Sequence, residues 1–192
     1  MMFGGAVSSS LWGWGVNNQN QIGDGTTTQR ASPVQVGSDT NWASASQGNE
    51  TGHAIKTDGT LWGWGGNSSN EIGDGTTTQR ASPVQIGSAT TWASTSQGNN
   101  HGHAIKTDGT LWGWGYNSYG RLGDGTTTQR ASPVQIGSAT DWASISDGNW
   151  HGHAIKTDGT LWGWGRNSAN QLGDGTTVDR LYPVQIGSDT TW

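Results

Sequence analysis

The five histidines occupy only two positions of a 50-residue period: His53, His103 and His153 at one, His101 and His151 at the other. Residues i and i+2 of an extended strand point to the same side, so the pairs His101/His103 and His151/His153 could each present two imidazoles to one metal ion. Thr51 breaks the pair in the preceding unit, and no cysteine or patterned carboxylate completes a coordination shell. The expected role is therefore structural, with hydrogen bonds across a sheet and with no metal or other cofactor.

Aspartate recurs in two Asp-Gly settings. Asp58, Asp108 and Asp158 sit in Thr-Asp-Gly-Thr; Asp24, Asp74, Asp124 and Asp174 sit in Gly-Asp-Gly-Thr. An aspartate so placed caps its own turn through backbone N–H groups, and the ligand spacing of an EF-hand is missing. Serine, threonine, histidine and aspartate are plentiful, but a hydrolase needs one distinctive nucleophile and base, and the repeated units offer no such asymmetric set. Gly-Trp-Gly lacks the third glycine and the following helix of a phosphate-binding loop. The sequence predicts no catalytic residues and no enzyme.

The elements carrying these residues follow from the repeat itself. His-Ala-Ile-Lys-Thr-Asp-Gly-Thr-Leu-Trp-Gly-Trp-Gly occurs at 53–65, 103–115 and 153–165, and its last five residues again at 11–15. Two alternating runs around an Asp-Gly turn make a β-hairpin. On the second arm Trp62 and Trp64 share one face and Gly63 leaves the other bare, as if a neighbouring Trp pair came close there. Each unit holds four strand-like runs, exemplified by 142–146 (A), 151–157 (B), 160–165 (C) and, after the preceding C, 133–137 (D). A Gly- and Thr-rich loop, GDGTTTQRAS, joins C to D. No segment has helical periodicity. Four short antiparallel strands per 50-residue repeat specify an all-β fold of propeller blades in a single domain, 1–192, with units 1–41, 42–91, 92–141 and 142–192.

Composition agrees. Of 13 tryptophans, all but Trp150 fall on the repeat lattice, so the indoles supply the core that the sparse aliphatic residues cannot. Trp12, Trp14, Trp62, Trp64, Trp112, Trp114, Trp162, Trp164, Trp42, Trp92 and Trp142 are the expected structural core. The net charge of −5 and the absence of any Lys/Arg run argue against nucleic-acid binding. No apolar run is long enough for membrane insertion, and the N-terminus lacks the basic and apolar regions of a secretory signal. The compartment is left open, virion and cytoplasm both being compatible.

In these residues the chain resembles the family of regulator of chromosome condensation (RCC1-like) repeats, whose pattern runs G-x-x-H-T-x-A-L-x-x-D-G-x-V-Y-x-W-G-x-N-x-x-G-Q-L-G-x-G before a proline-led strand. The third unit matches it at Gly98, His101, Ala104, Ile105, Asp108, Gly109, Leu111, Trp112, Trp114, Gly115, Asn117, Gly120, Leu122, Gly123, Gly125 and Pro133. Thr51 departs from it, as do Asn20, Asn70 and Asn170 in place of Gly120, and Trp stands where Tyr or Phe is usual. The resemblance implies a propeller, usually of seven blades. It also implies a non-catalytic structural or protein-interaction module. The Trp-Gly-rich, near-identical form is similar to repeats of bacterial and bacteriophage proteins, which implies a virion-associated or bacterial surface component. The alternative it implies is a regulatory propeller, exchanging guanine nucleotide on a small GTPase or inhibiting an enzyme.

The units differ mainly in two loops, after strand C and between A and B. Alternating strand directions put both loops at one rim, opposite the constant Thr-Asp-Gly-Thr turn. Tyr116, Tyr119, Arg121, Trp150, Arg166, Glu50 and Glu71 are the binding-rim candidates, aromatic residues and Arg being the usual hot-spot types. The first unit has only a degenerate B strand, 2–9, and the last stops at Trp192, the start of an A strand. With about four blades, the chain is expected to form an open arc, a ring completed by partner copies or part of a longer array, and to meet a protein partner by self-association or within a larger assembly.

Overall fold

The computed structural model describes residues 9–192. Two strands, β1 (Trp12–Gly15) and β2 (Arg30–Gln35), form a partial blade. Three full four-stranded antiparallel blades follow. The first is β3 (Trp42–Gln47), β4 (Thr51–Lys56), β5 (Leu61–Gly65) and β6 (Arg80–Gln85). The next is β7 (Trp92–Gln97), β8 (His101–Lys106), β9 (Leu111–Gly115) and β10 (Arg130–Gln135). The last is β11 (Trp142–Asp147), β12 (His151–Lys156), β13 (Leu161–Gly165) and β14 (Arg180–Ile186). The only helical turn among the described residues is Ser118–Gly120, and the blades do not close into a ring. The first strands β3, β7 and β11 lie against one another, so they are innermost. The expected strand over 2–9 lies outside the described residues except Ser9, which bridges to Asn41.

Strands A, B and C start where the alternation places them, to within a residue. The fourth begins earlier than the sequence predicts, at Arg130 rather than Pro133, and ends at Gln135. A register shift between Arg130 and Val134 lets Arg130 pair with Gly115, so Pro133 falls where the ladder is already interrupted. Gly137, at φ +62°, then turns the chain away.

Alternation makes each blade two-faced, and unlike faces meet. Ile55, Leu61, Ile72 and Ile86 of one blade bury against Trp92, Ala104 and Trp114 of the next. Ile105, Leu111 and Ile136 meet Trp142, Ala154 and Trp164 in the same way. In the three complete blades the second Trp of Trp-Gly-Trp reaches furthest. The Nε1–H of Trp64, Trp114 and Trp164 donates to the carbonyls of Gln21, Glu71 and Arg121 in the preceding unit, at 2.9, 2.9 and 3.0 Å. A Cβ on Gly73 would lie 2.6 Å from Trp114 Cδ1, so the indole lies flat against that loop. Gly113 has another role than the sequence predicts. The space beside it is filled from within its own blade, by His103 at 2.9 Å and Ile136 at 3.5 Å, and not by a neighbouring Trp pair.

The expected Trp core is graded. Trp42, Trp92, Trp142, Trp64, Trp114 and Trp164 are buried. Trp62, Trp112 and Trp162 are half-buried, with Lys56, Lys106 and Lys156 at 3.8, 3.8 and 4.7 Å from their ring centroids. Trp12 and Trp14, expected in the core, are 52% and 65% exposed on the partial blade.

The Gly-Asp-Gly-Thr aspartates do cap their turns, and they do more. Asp74 Oδ1 accepts from Thr76 N–H (3.0 Å), Thr76 Oγ1 (2.7 Å) and Asn67 Nδ2 (3.2 Å), while Oδ2 accepts from Arg80 Nε (2.7 Å). The same clasp joins Asp24 to Arg30, Asp124 to Arg130 and Asp174 to Arg180. It fastens the long C–D loop to the start of the fourth strand, which explains why that strand begins at the arginine. Burial raises these carboxyls, but hydrogen bonds from Thr, Arg and Asn outweigh it and hold Asp74 and Asp124 below the usual range, and Asp174 down to about 2.

Two outcomes are expected. Gly113→Val forces a branched side chain onto His103 and costs about 1–3 kcal/mol in denaturant unfolding, with the circular-dichroism spectrum retained. A depressed carboxyl stabilises above its unfolded pKa and loses that contribution as pH falls through its folded one. Asp74→Ala therefore costs about 1–3 kcal/mol at pH 7, and the gap to the parent narrows as the pH is lowered from 5 toward 2.

Candidate functional site

Residues that break the repeat gather at one junction. Tyr116, Tyr119 and Arg121 come from the β9–β10 loop, Trp150 from the β11–β12 loop, and Arg166 from the residue after β13. The Arg166 guanidinium lies 4.2 Å from the Trp150 ring centroid and 5.2 Å from that of Tyr119. The Tyr119 and Trp150 rings are 6.4 Å apart, and Arg121 lies 4.8 Å from the centre of Tyr116. Backbone geometry fixes the arrangement. Tyr119 takes φ +64°, and the N–H of Arg166 donates to the Trp150 carbonyl at 2.9 Å. Tyr116, Tyr119 and Trp150 are 41%, 45% and 37% exposed, so the aromatic faces are open to a partner while the guanidinium holds them in place.

Two rim candidates lie inside the wall. Arg121 is buried: it donates to the Asn99 carbonyl at 2.9 Å and to Ser118 O and Oγ at 3.2 Å. Burial lowers its pKa to about 10. Glu71 is buried too, accepting from Ser69 N–H at 2.7 Å and from Asn100 Nδ2 of the next blade at 2.8 Å. The Glu71 side chain ties its unit to the next, whereas that of Arg121 braces two loops of its own blade; neither is presented to a partner. Glu50 is half-buried at the position Trp150 occupies two units later, away from the aromatic cluster.

Deeper at the same junction is a cluster that the repeat pattern conceals. Asp147, from β11, enters between His101 and His103 of β8, and all three side chains are fully buried. His103 Nδ1 donates to Asp147 Oδ1 at 2.8 Å and its Nε2 to the Leu122 carbonyl at 3.1 Å. Burial opposes charge on His103, but the Asp147 carboxylate prevails and raises its pKa; burial lowers that of His101. Burial would raise the Asp147 carboxyl, yet His103 and His101 hold it below the usual carboxylate range. The sequence predicts no carboxylate near the His pair. The missed signal is a coincidence: Asp147 replaces Gln47 and Gln97 in the unit after the one where His101 replaces Thr51. Among the described residues this is the one group of three or more His, Cys, Asp or Glu whose ligand atoms could hold a metal ion. The His151/His153 pair forms no such group among the described residues, although Asp147 acts on His151 through space.

A family model for the regulator of chromosome condensation (RCC1) repeat matches residues 8–55, 58–105, 108–155 and 158–191. A second RCC1 repeat model matches 92–121. Each complete match covers the last two strands of one blade and the first two of the next, as 58–105 covers β5 to β8. Human WBSCR16 is similar in structure, with a TM-score of 0.83, 24% identity, and coverage of 94% of this chain and 49% of that one. Prp20p of Saccharomyces cerevisiae, described with its binding to Gsp1p and histones, gives 0.83 and 19%, over 94% of this chain and 47% of its own. Yeast RCC1 (Prp20) bound to Kap60 gives 0.81 and 20%, over 94% and 45%. The chain thus spans about half the length of the solved structures it matches. No curated protein sequence matches it. No helix among the described residues is long and apolar enough to cross a membrane.

The two arginines of the site should separate by mutation. Arg121→Ala leaves buried carbonyls unpaired and costs about 2–3 kcal/mol in urea unfolding, whereas Arg166→Ala costs at most about 1 kcal/mol.

Proposed function

The chain belongs to the family of regulator of chromosome condensation repeats, and from that premise we propose that it is a non-catalytic protein-interaction module. Its contact surface is the rim formed by Tyr116, Tyr119, Trp150 and Arg166. The reading rests on one observation: residues that depart from the repeat in three different loops converge on one exposed cluster. Open aromatic faces held by a guanidinium are what hot spots of protein interfaces are made of. The constant indoles are absorbed in joining blades, whereas the rim presents side chains that differ from unit to unit. Similar proteins bind proteins: Prp20p binds Gsp1p and histones, and Kap60 binds yeast RCC1.

The partner is a protein, either a different one or a second copy of this chain. A place in a virion or on a bacterial surface is supported by the likeness of the Trp-Gly-rich repeats alone. Action on a small GTPase, the second reading, is favoured by the fold shared with Prp20p. Catalysis has no support in the rim, which holds no paired acid and base.

A photo-crosslinking residue at position 119 tests the reading in an extract of the source cells, with position 107 on the opposite, constant turn as control. The expected result is discrete protein adducts from 119 and not from 107, lost when Trp150→Ala and Arg166→Ala are combined. An adduct at twice the mass of the chain identifies self-association. Equal labelling from both positions, or none from 119, contradicts the rim. Faster nucleotide release from a small GTPase would favour the regulatory reading.

A further inference from the structure

We propose that His101, His103 and Asp147 form a buried binding site for a divalent first-row transition-metal ion of the zinc class, set between the second and third complete blades. The donor set is two imidazole nitrogens and a carboxylate oxygen, the combination such ions prefer. The ligand atoms lie within 4.8 Å of one another, and they come from two elements that the fold holds against each other.

The outer nitrogens of both rings are already occupied. His101 Nδ1 donates to the Asn99 carbonyl at 3.2 Å, and His103 Nε2 to the Leu122 carbonyl at 3.1 Å. Backbone carbonyls in these positions are the usual outer partners of metal-bound histidines: they fix the tautomer and aim the other nitrogen inward. Here the inward nitrogens are His101 Nε2 and His103 Nδ1, and both face Asp147.

With Nδ1 carrying the proton of His101, its Nε2 is an acceptor facing an acceptor. It lies 3.6 Å from Asp147 Oδ1, too far for a hydrogen bond, and it has no other partner. Asp147 Oδ2 is also buried without a partner. Two unsatisfied acceptors in a dry interior are costly, and a cation between them satisfies both. Tetrahedral coordination with arms of about 2.1 Å needs ligand atoms roughly 3.4 Å apart, which a movement of about 1 Å provides. Binding replaces the His103 Nδ1 proton, which is released to solvent.

The preceding junction supplies the comparison. There His53 Nε2 meets the Ile72 carbonyl at 2.9 Å in the same manner, but Thr51 stands for His101 and Gln97 for Asp147. The chain therefore carries one junction with the donor set and one without it, in the same framework.

Because the cluster is enclosed, metal enters as the blades assemble. The tag-free 192-residue chain is refolded from guanidinium with Zn²⁺ or Co²⁺, desalted, and assayed by elemental mass spectrometry, with the visible bands of Co²⁺ reporting geometry. About one ion per chain is expected, with tetrahedral Co²⁺ bands and a raised melting temperature. His101→Thr/Asp147→Gln, which copies the preceding junction, should fold and hold no metal; His151→Thr should hold it as the parent does. If the double variant fails to fold, His101→Thr alone is read in the same way. A parent chain without stoichiometric metal overturns the proposal, as does a folded variant that keeps it.

Discussion

The structure depends on a single contact repeated from blade to blade: an indole laid against the preceding unit. Trp114 lies flat on Gly73 and donates its N–H to Glu71, so apolar burial and a directed hydrogen bond act at one point. The indole is the largest side chain in a core otherwise made of a few Ile, Leu and Ala residues. Glycine is needed at position 73 for two independent reasons, the approach of the ring and a backbone φ of +81°. A seam on each side supports the contact. Gly75 N–H donates to Ala131 near the outer edge and Trp92 N–H to Gly59 near the inner one, at 2.9 and 3.1 Å.

Mating unlike faces has a consequence for specificity. Near-identical units could pair in the wrong order; the first two junctions share their contacts, and the last does not. Gln79 donates to Asn20 at 2.6 Å, and Gln129 donates to Asn70. At the last junction the asparagine is replaced by Gly120, and Leu181 packs over it instead. The buried Asp147 with its two histidines belongs to that junction alone, and so does the aromatic rim. One interface of the array has thus diverged together on its inner, middle and outer layers, and this is where binding chemistry concentrates.

Much of this was legible in the residues. The Thr-Asp-Gly-Thr turn and the alternation around it specify the hairpin of β4 and β5, and the 50-residue period specifies blades. Three features were not legible, each for a physical reason. Arg80 shares a repeat position with Arg30, Arg130 and Arg180, but only the folded C–D loop brings it to Asp74. Asp147 lies 44 residues from its partner His103, and a residue read within its own unit gives no sign of a ligand in the neighbouring one. Arg121 and Glu71 vary between units as contact residues do, yet the loop tucks their side chains inward. Variation marks a junction as readily as a surface.

Hydrogen exchange on Gly73→Ala tests the central contact most directly. The added methyl would sit 2.6 Å from Trp114 Cδ1 on a left-handed backbone, so the indole must leave its seat. The account predicts faster exchange on both sides of that junction, in the β5–β6 loop and in β9, while β12 and β13 keep their protection. It also predicts that unfolding separates into two transitions. Exchange indistinguishable from the parent across that junction, with one unshifted transition, would contradict it.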